Sequence, residues 1–127
     1  MKKLIIVGFG LGLLVIALLV WYHVRHPSDA TIRKEYPGTW VAQGAGGHST
    51  IHIYPDGHFV ATFTGRQSGT LEGAWRVECG FIVTTYTNSS FTKRVPYSES
   101  DKVIRMDGHE LVTQYGKDVT VIHRVRP

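Results

Sequence analysis

Apolar and polar residues follow two regimes along this chain. From Leu4 to Tyr22 the sequence reads LIIVGFGLGLLVIALLVWY, nineteen uncharged and mostly apolar positions with no polar face. As a helix this run is about 28 Å long at 1.5 Å per residue, close to the hydrocarbon thickness of a bilayer. From Gly38 onward the pattern changes to short alternating stretches broken by Gly, Asp, Asn and Pro. A period of two marks strands with one buried face, and the breaks supply the turns. The chain therefore divides into a predicted transmembrane helix or uncleaved signal anchor over 1–23, a polar connector over 24–37, and an all-β domain over 38–127. Within the connector, between Pro27 and Pro37, a short helical turn is predicted around Asp29 to Glu35.

The clearest strand signal is a hairpin. Ile51 to Tyr54 runs into Pro55-Asp56-Gly57 and out through His58 to Phe63. Proline presets the turn and glycine supplies the positive φ that closes it. With those three residues as the loop, Ile53 pairs with Phe59, and the pleat puts Ile51, Ile53, Phe59, Ala61 and Phe63 on one core-facing side. The same construction recurs. Strands are predicted at 39–43, 70–77, 81–87, 102–106, 110–115 and 119–125, with turns at Glu78-Cys79-Gly80, Asp107-Gly108-His109 and Gly116-Lys117-Asp118. The total is about seven strands, or eight if Phe91 to Tyr97 adds one, confined to an edge or a bulge because Pro96 cannot donate to a central ladder. Longer loops are expected around Gly44 to His48, Gly65 to Gly69 and Asn88 to Ser100. A meander of this length hides its edges best by closing into an up-and-down antiparallel barrel.

Three identities compete for the N-terminal run. A lipoprotein signal needs a cysteine just past the apolar stretch, and the only cysteine is Cys79. A cleaved signal ends in small residues, whereas this one ends in Leu18-Leu19-Val20-Trp21-Tyr22-His23. Bulky residues, with Trp21 and Tyr22 as interfacial aromatics, favour an uncleaved anchor. Lys2 and Lys3 precede the run and Arg25, Arg33 and Lys34 follow it. That balance barely discriminates orientation, and the Lys-Lys start gives the export layout, N-terminus inside and domain outside. Gly8 and Gly12 have the spacing of a helix-pairing motif, although glycine is common in membrane helices in any case.

Charge changes the picture only when it is divided. The chain carries fourteen Lys and Arg against ten Asp and Glu, a formal net charge of +4. Lys2, Lys3 and Arg25 flank the anchor, and from residue 26 onward eleven basic residues face ten acidic ones. A domain near neutrality has no concentrated basic stripe, so nucleic acid is not an expected partner. A single cysteine forms no intramolecular disulfide, and Cys79, beside Gly80 in a turn, reads as structural or incidental.

Catalytic signatures come close and miss. Gly65-Arg66-Gln67-Ser68-Gly69 has the glycines of a nucleophile elbow with the serine one place late, so it reads as a flexible loop. His109-Glu110 opens a zinc-protease pattern, but position 113 is Thr. No catalytic, cofactor or metal site is assigned, and no enzyme is expected. His48, His52 and His58 lie on or near one outward face of the first hairpin and together offer imidazoles to zinc or copper. Solvated outward histidines are the simpler reading. The aromatic residues Trp40, Phe59, Phe63, Trp75, Phe81 and Tyr115 belong first to the core of a small domain. Where a cavity remains, the same lining suits an apolar small molecule.

Four short motifs carry a resemblance. Gly38-Thr39-Trp40 opens the first strand, Asp56-Gly57-x-Phe59 follows, Gly73-Ala74-Trp75 lies mid-domain, and Arg124 stands on the last strand. Together they resemble the small bacterial lipocalin-like domains of the calycin group, over about Gly38 to Val125. The resemblance implies that Trp40 and Arg124 pack together and plug one end of the barrel. Joined to the anchor read from the apolar run, it gives the expectation of a non-enzymatic, membrane-anchored domain binding a small apolar ligand, sited on a bacterial inner membrane with the barrel in the periplasm or outside the cell. The competing expectation is an envelope scaffolding module with a filled barrel, whose 88–100 loop meets a protein partner. The domain is shorter than a typical lipocalin, which bears on whether a cavity survives.

Overall fold

The computed structural model describes residues 13–19, 26–44 and 46–125. Residues 13–19 are helical, with their large apolar side chains all more than half exposed. Among the described residues no helix is long and apolar enough to cross a membrane. The remainder of the expected anchor, 4–12 and 20–22, lies outside the described residues.

The folded part begins with a short helix, α1 (Asp29–Glu35), where one was predicted. The Ser28 side chain caps it by accepting from the Thr31 N–H at 3.2 Å, and Asp29 and Arg33–Lys34 complement its two ends. Eight strands follow: β1 (Gly38–Gly44), β2 (Gly47–Ile53), β3 (His58–Gly65), β4 (Gly69–Glu78), β5 (Phe81–Ser89), β6 (Tyr97–Met106), β7 (Glu110–Tyr115) and β8 (Asp118–Arg124). Each pairs antiparallel with the next, and β8 returns to β1 through Trp40–Arg124 and Val41–His123. The result is a closed up-and-down barrel, so no edge strand is left to be protected.

The first hairpin has the register that its turn residues dictate, with Ile53 opposite Phe59 and Ile51 opposite Ala61. Two expectations are corrected. The Gly44 to His48 loop shrinks to a tight turn, because β2 starts at Gly47 and pairs Gly47 with both Gly44 and Gly65. Its Gly, His and Ser residues continue the alternation, with Ser49 buried and His48 exposed. Nor is Phe91 to Tyr97 a strand: only Tyr97 is extended, and β6 starts there instead of at Lys102. Local side-chain bonds take the backbone groups of this stretch. Ser89 Oγ accepts from the Phe91 N–H at 3.0 Å, Thr92 Oγ1 from the Arg94 N–H at 3.1 Å, and Ser90 Oγ from the Thr70 N–H at 2.7 Å. Such bonds compete with ladder formation.

Up-and-down topology sorts the turns to two ends. The 54–57, 79–80 and 107–109 turns share one end with α1, and those between β1 and β2, β3 and β4, β5 and β6, and β7 and β8 share the other. The apolar core gathers at the first end. Ile32, Trp40, Ile82 and Leu111 are almost wholly buried, packed with Ile53, Phe59, Val77, Val103 and Ile122. Ile32 and Tyr36 belong to this cluster, so the segment that reads as a connector is part of the folded unit.

Candidate functional site

The α1 end of the barrel is sealed. Trp40 is 0% exposed and its Nε1 donates to the Tyr36 carbonyl at 2.9 Å. The Arg124 guanidinium lies over its ring, 4.2 Å from the centroid, a cation–π contact. Arg124 also donates to the Pro37 carbonyl at 3.0 Å and to the Glu35 carbonyl, placing a cation at the C-terminal end of α1. Gly38 has φ +143°, and a Cβ there would run into the same guanidinium. The structure thus brings Arg124 together with Gly38 and Trp40, from which the sequence separates it by more than eighty residues.

Above this plug the barrel is hollow. A cavity of about 340 Å³ occupies the lumen, at the lower end of the size range for small-molecule sites. The pleat explains its lining. Ile51 and Ile53, Phe59, Ala61 and Phe63, Leu71, Leu111 and Ile122 contribute the apolar wall. One side differs. On β5 and β6, Thr84 pairs with Glu99, Ile82 with Asp101 and Tyr86 with Tyr97, so Glu99 and Asp101 follow the buried Ile82 into the lumen. Thr113, Thr120, Tyr115 and Asp118 continue the polar lining on β7 and β8. No Lys, Arg or His is among the described residues that line this cavity.

The electrostatics follow from that imbalance. Burial, the neighbouring Glu99 charge and a hydrogen bond shared with Glu99 raise the Asp101 carboxyl from 3.8 to about 6. Burial, then the charge of Glu99, pushes the Tyr86 phenol well above its ordinary range. Tyr36 is raised likewise, by burial first and then by Tyr86 and Asp101. These interactions join Tyr36, Tyr86, Glu99 and Asp101 into one group on the wall of the lumen. Tyr36 is only 8% exposed, and its hydroxyl has no hydrogen-bond partner among the described residues. No fully enclosed side-chain polar atom among them is unpaired, so this hydroxyl opens onto the cavity.

The mouth is aromatic. Phe63 meets Phe91 edge to face at 5.2 Å, and Tyr97 stacks on Tyr86 at 4.6 Å. Phe91, Tyr97 and Tyr115 are exposed there.

The other sequence candidates sit elsewhere. His52 Nδ1 shares a hydrogen bond with Thr39 Oγ1 at 3.1 Å, His48 Nε2 shares one with Thr64 Oγ1 at 3.1 Å, and His58 packs on the Tyr54 ring. Each has its own partner, and among the described residues no three His, Cys, Asp or Glu side chains form a metal-holding group. Cys79 is an exposed free thiol with φ +49°, in a turn whose two N–H groups donate to the Asp29 carboxylate at 3.0 and 2.7 Å. Ser68 is exposed in the 66–68 turn, and His109-Glu110 lies at the sealed end, where Glu110 pairs with Arg105. Sequence reasoning missed Glu99 and Asp101 because it began their strand at Lys102. The available signal was the alternation of Glu99, Asp101 and Val103 in one register. In comparisons with protein-family models, curated proteins and solved structures, nothing matches this chain.

Proposed function

We propose that this chain is a membrane-tethered, lipocalin-like binding protein that holds a small, largely apolar molecule in its barrel. The observation that carries the reading is the lumen: one end sealed by Trp40 and Arg124, the other open, and between them about 340 Å³ of mainly apolar-walled space. A small barrel whose only task is structural fills its interior with side chains, whereas a retained cavity costs packing energy. Gly38-Thr39-Trp40 and Arg124 at the seal support the lipocalin-like assignment. The apolar run behind Lys2 and Lys3 supports a tether in a bacterial inner membrane, with the barrel on the far side.

The test uses the full chain in phosphatidylcholine nanodiscs, titrated with the neutral probe 2-phenylethanol and followed by methyl resonances. Saturable shifts at Ile51, Leu71 and Leu111 are expected. They should vanish in Ala61→Phe and in Thr113→Phe, two separate ways of filling the lumen, with circular dichroism confirming a folded barrel. Shifts confined to the outer surface, or equal binding in both filled variants, sink the reading.

A further inference from the structure

The lumen is apolar in bulk but sided in charge, and this constrains the ligand. Glu99 and Asp101 project into it from one strand, with Asp118 towards the mouth. No basic side chain among the described residues lines it. The cationic residues at the open end, Arg66, Lys93, Arg94 and Lys117, are all exposed on turns. Water and salt screen such charges within about 8 Å, whereas two carboxylates inside a narrow barrel are screened far less. A carboxylate pair with no counter-charge is a cost to the fold that a fitting cation removes.

A second, independent observation points the same way. The Tyr36 hydroxyl belongs to a side chain 8% exposed, has no hydrogen-bond partner among the described residues, and opens onto the cavity close to Asp101. A hydroxyl that no protein group holds and that faces the cavity is free to take a ligand's hydrogen bond. Beside two carboxylates, its oxygen is a ready acceptor for a third N–H. Tyr86 adds an aromatic surface stacked on Tyr97, of the kind that favours cations. Three acceptors around one space fit the three N–H donors of an ammonium group.

Building on the binding role proposed above, we infer that the lumen selects a small organic cation. Its protonated amine lies among Glu99, Asp101 and the Tyr36 hydroxyl, and its apolar body rests against Phe59, Ala61 and Leu111. A carboxylate or phosphate at that position meets two like charges and is rejected. A neutral molecule of equal shape binds through the wall alone.

A matched series decides this: 2-phenylethylamine, 2-phenylethanol and 3-phenylpropanoate, titrated into the full chain in phosphatidylcholine nanodiscs with protein-observed shifts as the readout. The amine should bind about tenfold or more tighter than the alcohol, as expected for hydrogen bonds to charged groups, and the carboxylate should bind weakest. In Glu99→Gln/Asp101→Asn the ratio of amine to alcohol affinity should fall to about one; Tyr36→Phe should lower that ratio without abolishing it. Equal affinity for amine and alcohol in the unaltered chain overturns the charge selection and leaves lumen binding standing. Amine binding that survives Thr113→Phe places the amine outside the lumen and also overturns it. Absence of binding by all three overturns both the selection and the binding role.

Discussion

The indole of Trp40 is fixed by three kinds of contact at once: its Nε1 donates to the Tyr36 carbonyl, Arg124 covers its ring, and apolar neighbours bury it. Trp40→Ala is expected to cost roughly 3–5 kcal/mol in denaturant unfolding, since a large buried ring leaves a cavity that cannot collapse. Asp101 sets the opposite balance, being strained when charged. Its carboxyl is raised from 3.8 to about 6, so between those values the folded state holds a proton that the unfolded chain releases. Stability from this group is therefore gained as pH falls from about 6 towards 4, and lost as pH rises through that window. Asp101→Asn should flatten this part of the profile, measured as unfolding midpoint against pH. Its stabilisation at pH 7.5 should be about 1 kcal/mol, the full shift being discounted for solvent screening of a half-exposed group.

At the level of elements, the β4–β5 turn and α1 form one device. Cys79 and Gly80 both have positive φ, the geometry of a two-residue hairpin turn that prefers Asn-Gly. Cys79→Asn should raise stability by about 0.5–1 kcal/mol, because asparagine tolerates the left-handed conformation better. Asp29→Ala removes the acceptor of both turn N–H groups and should cost about 1–2 kcal/mol, with faster amide exchange at Cys79 and Gly80. These elements also show what the sequence discloses. Hairpins closed by Pro-Asp-Gly or Asp-Gly were legible because the turn residues alone set the register, as Ile53 and Phe59 demonstrate. The docking of α1 was not: Ile32 is a lone apolar residue in a polar stretch, and its burial depends on a barrel end formed by distant strands. The lumen carboxylates were missed for a related reason. Glu99 and Asp101 follow Pro96 in a polar run, Tyr97 to Lys102, whose inward parity appears only after β6 is paired with β5. Trp40 and Arg124 were found through a motif; the carbonyls they donate to, Tyr36 for Trp40 and Glu35 and Pro37 for Arg124, were not.

For the molecule as a whole, sealing and opening fall at opposite ends of one barrel, and α1 lies with the seal. Arg33 donates to the Val77 carbonyl at 3.3 Å and Asp29 accepts from Cys79 and Gly80, so the chain joins the barrel beside the β4–β5 turn, far from the aromatic mouth. Reach and recognition are thereby independent variables. With the proposed tether, inserting ten Gly-Ser residues ahead of Pro27 should let the barrel wander farther, by roughly 5–6 Å times the square root of the added length, while the lumen keeps its shape. Affinity for 2-phenylethylamine should be unchanged within twofold by such insertions. Cross-linking to a partner held at fixed height above the bilayer should vary with linker length. On the proposed tethering, a fishing line offers the comparison for the Asp29–Gly80 attachment: it is knotted to the closed back of the vessel, so a ligand would be taken from the surrounding water rather than drawn up along the line.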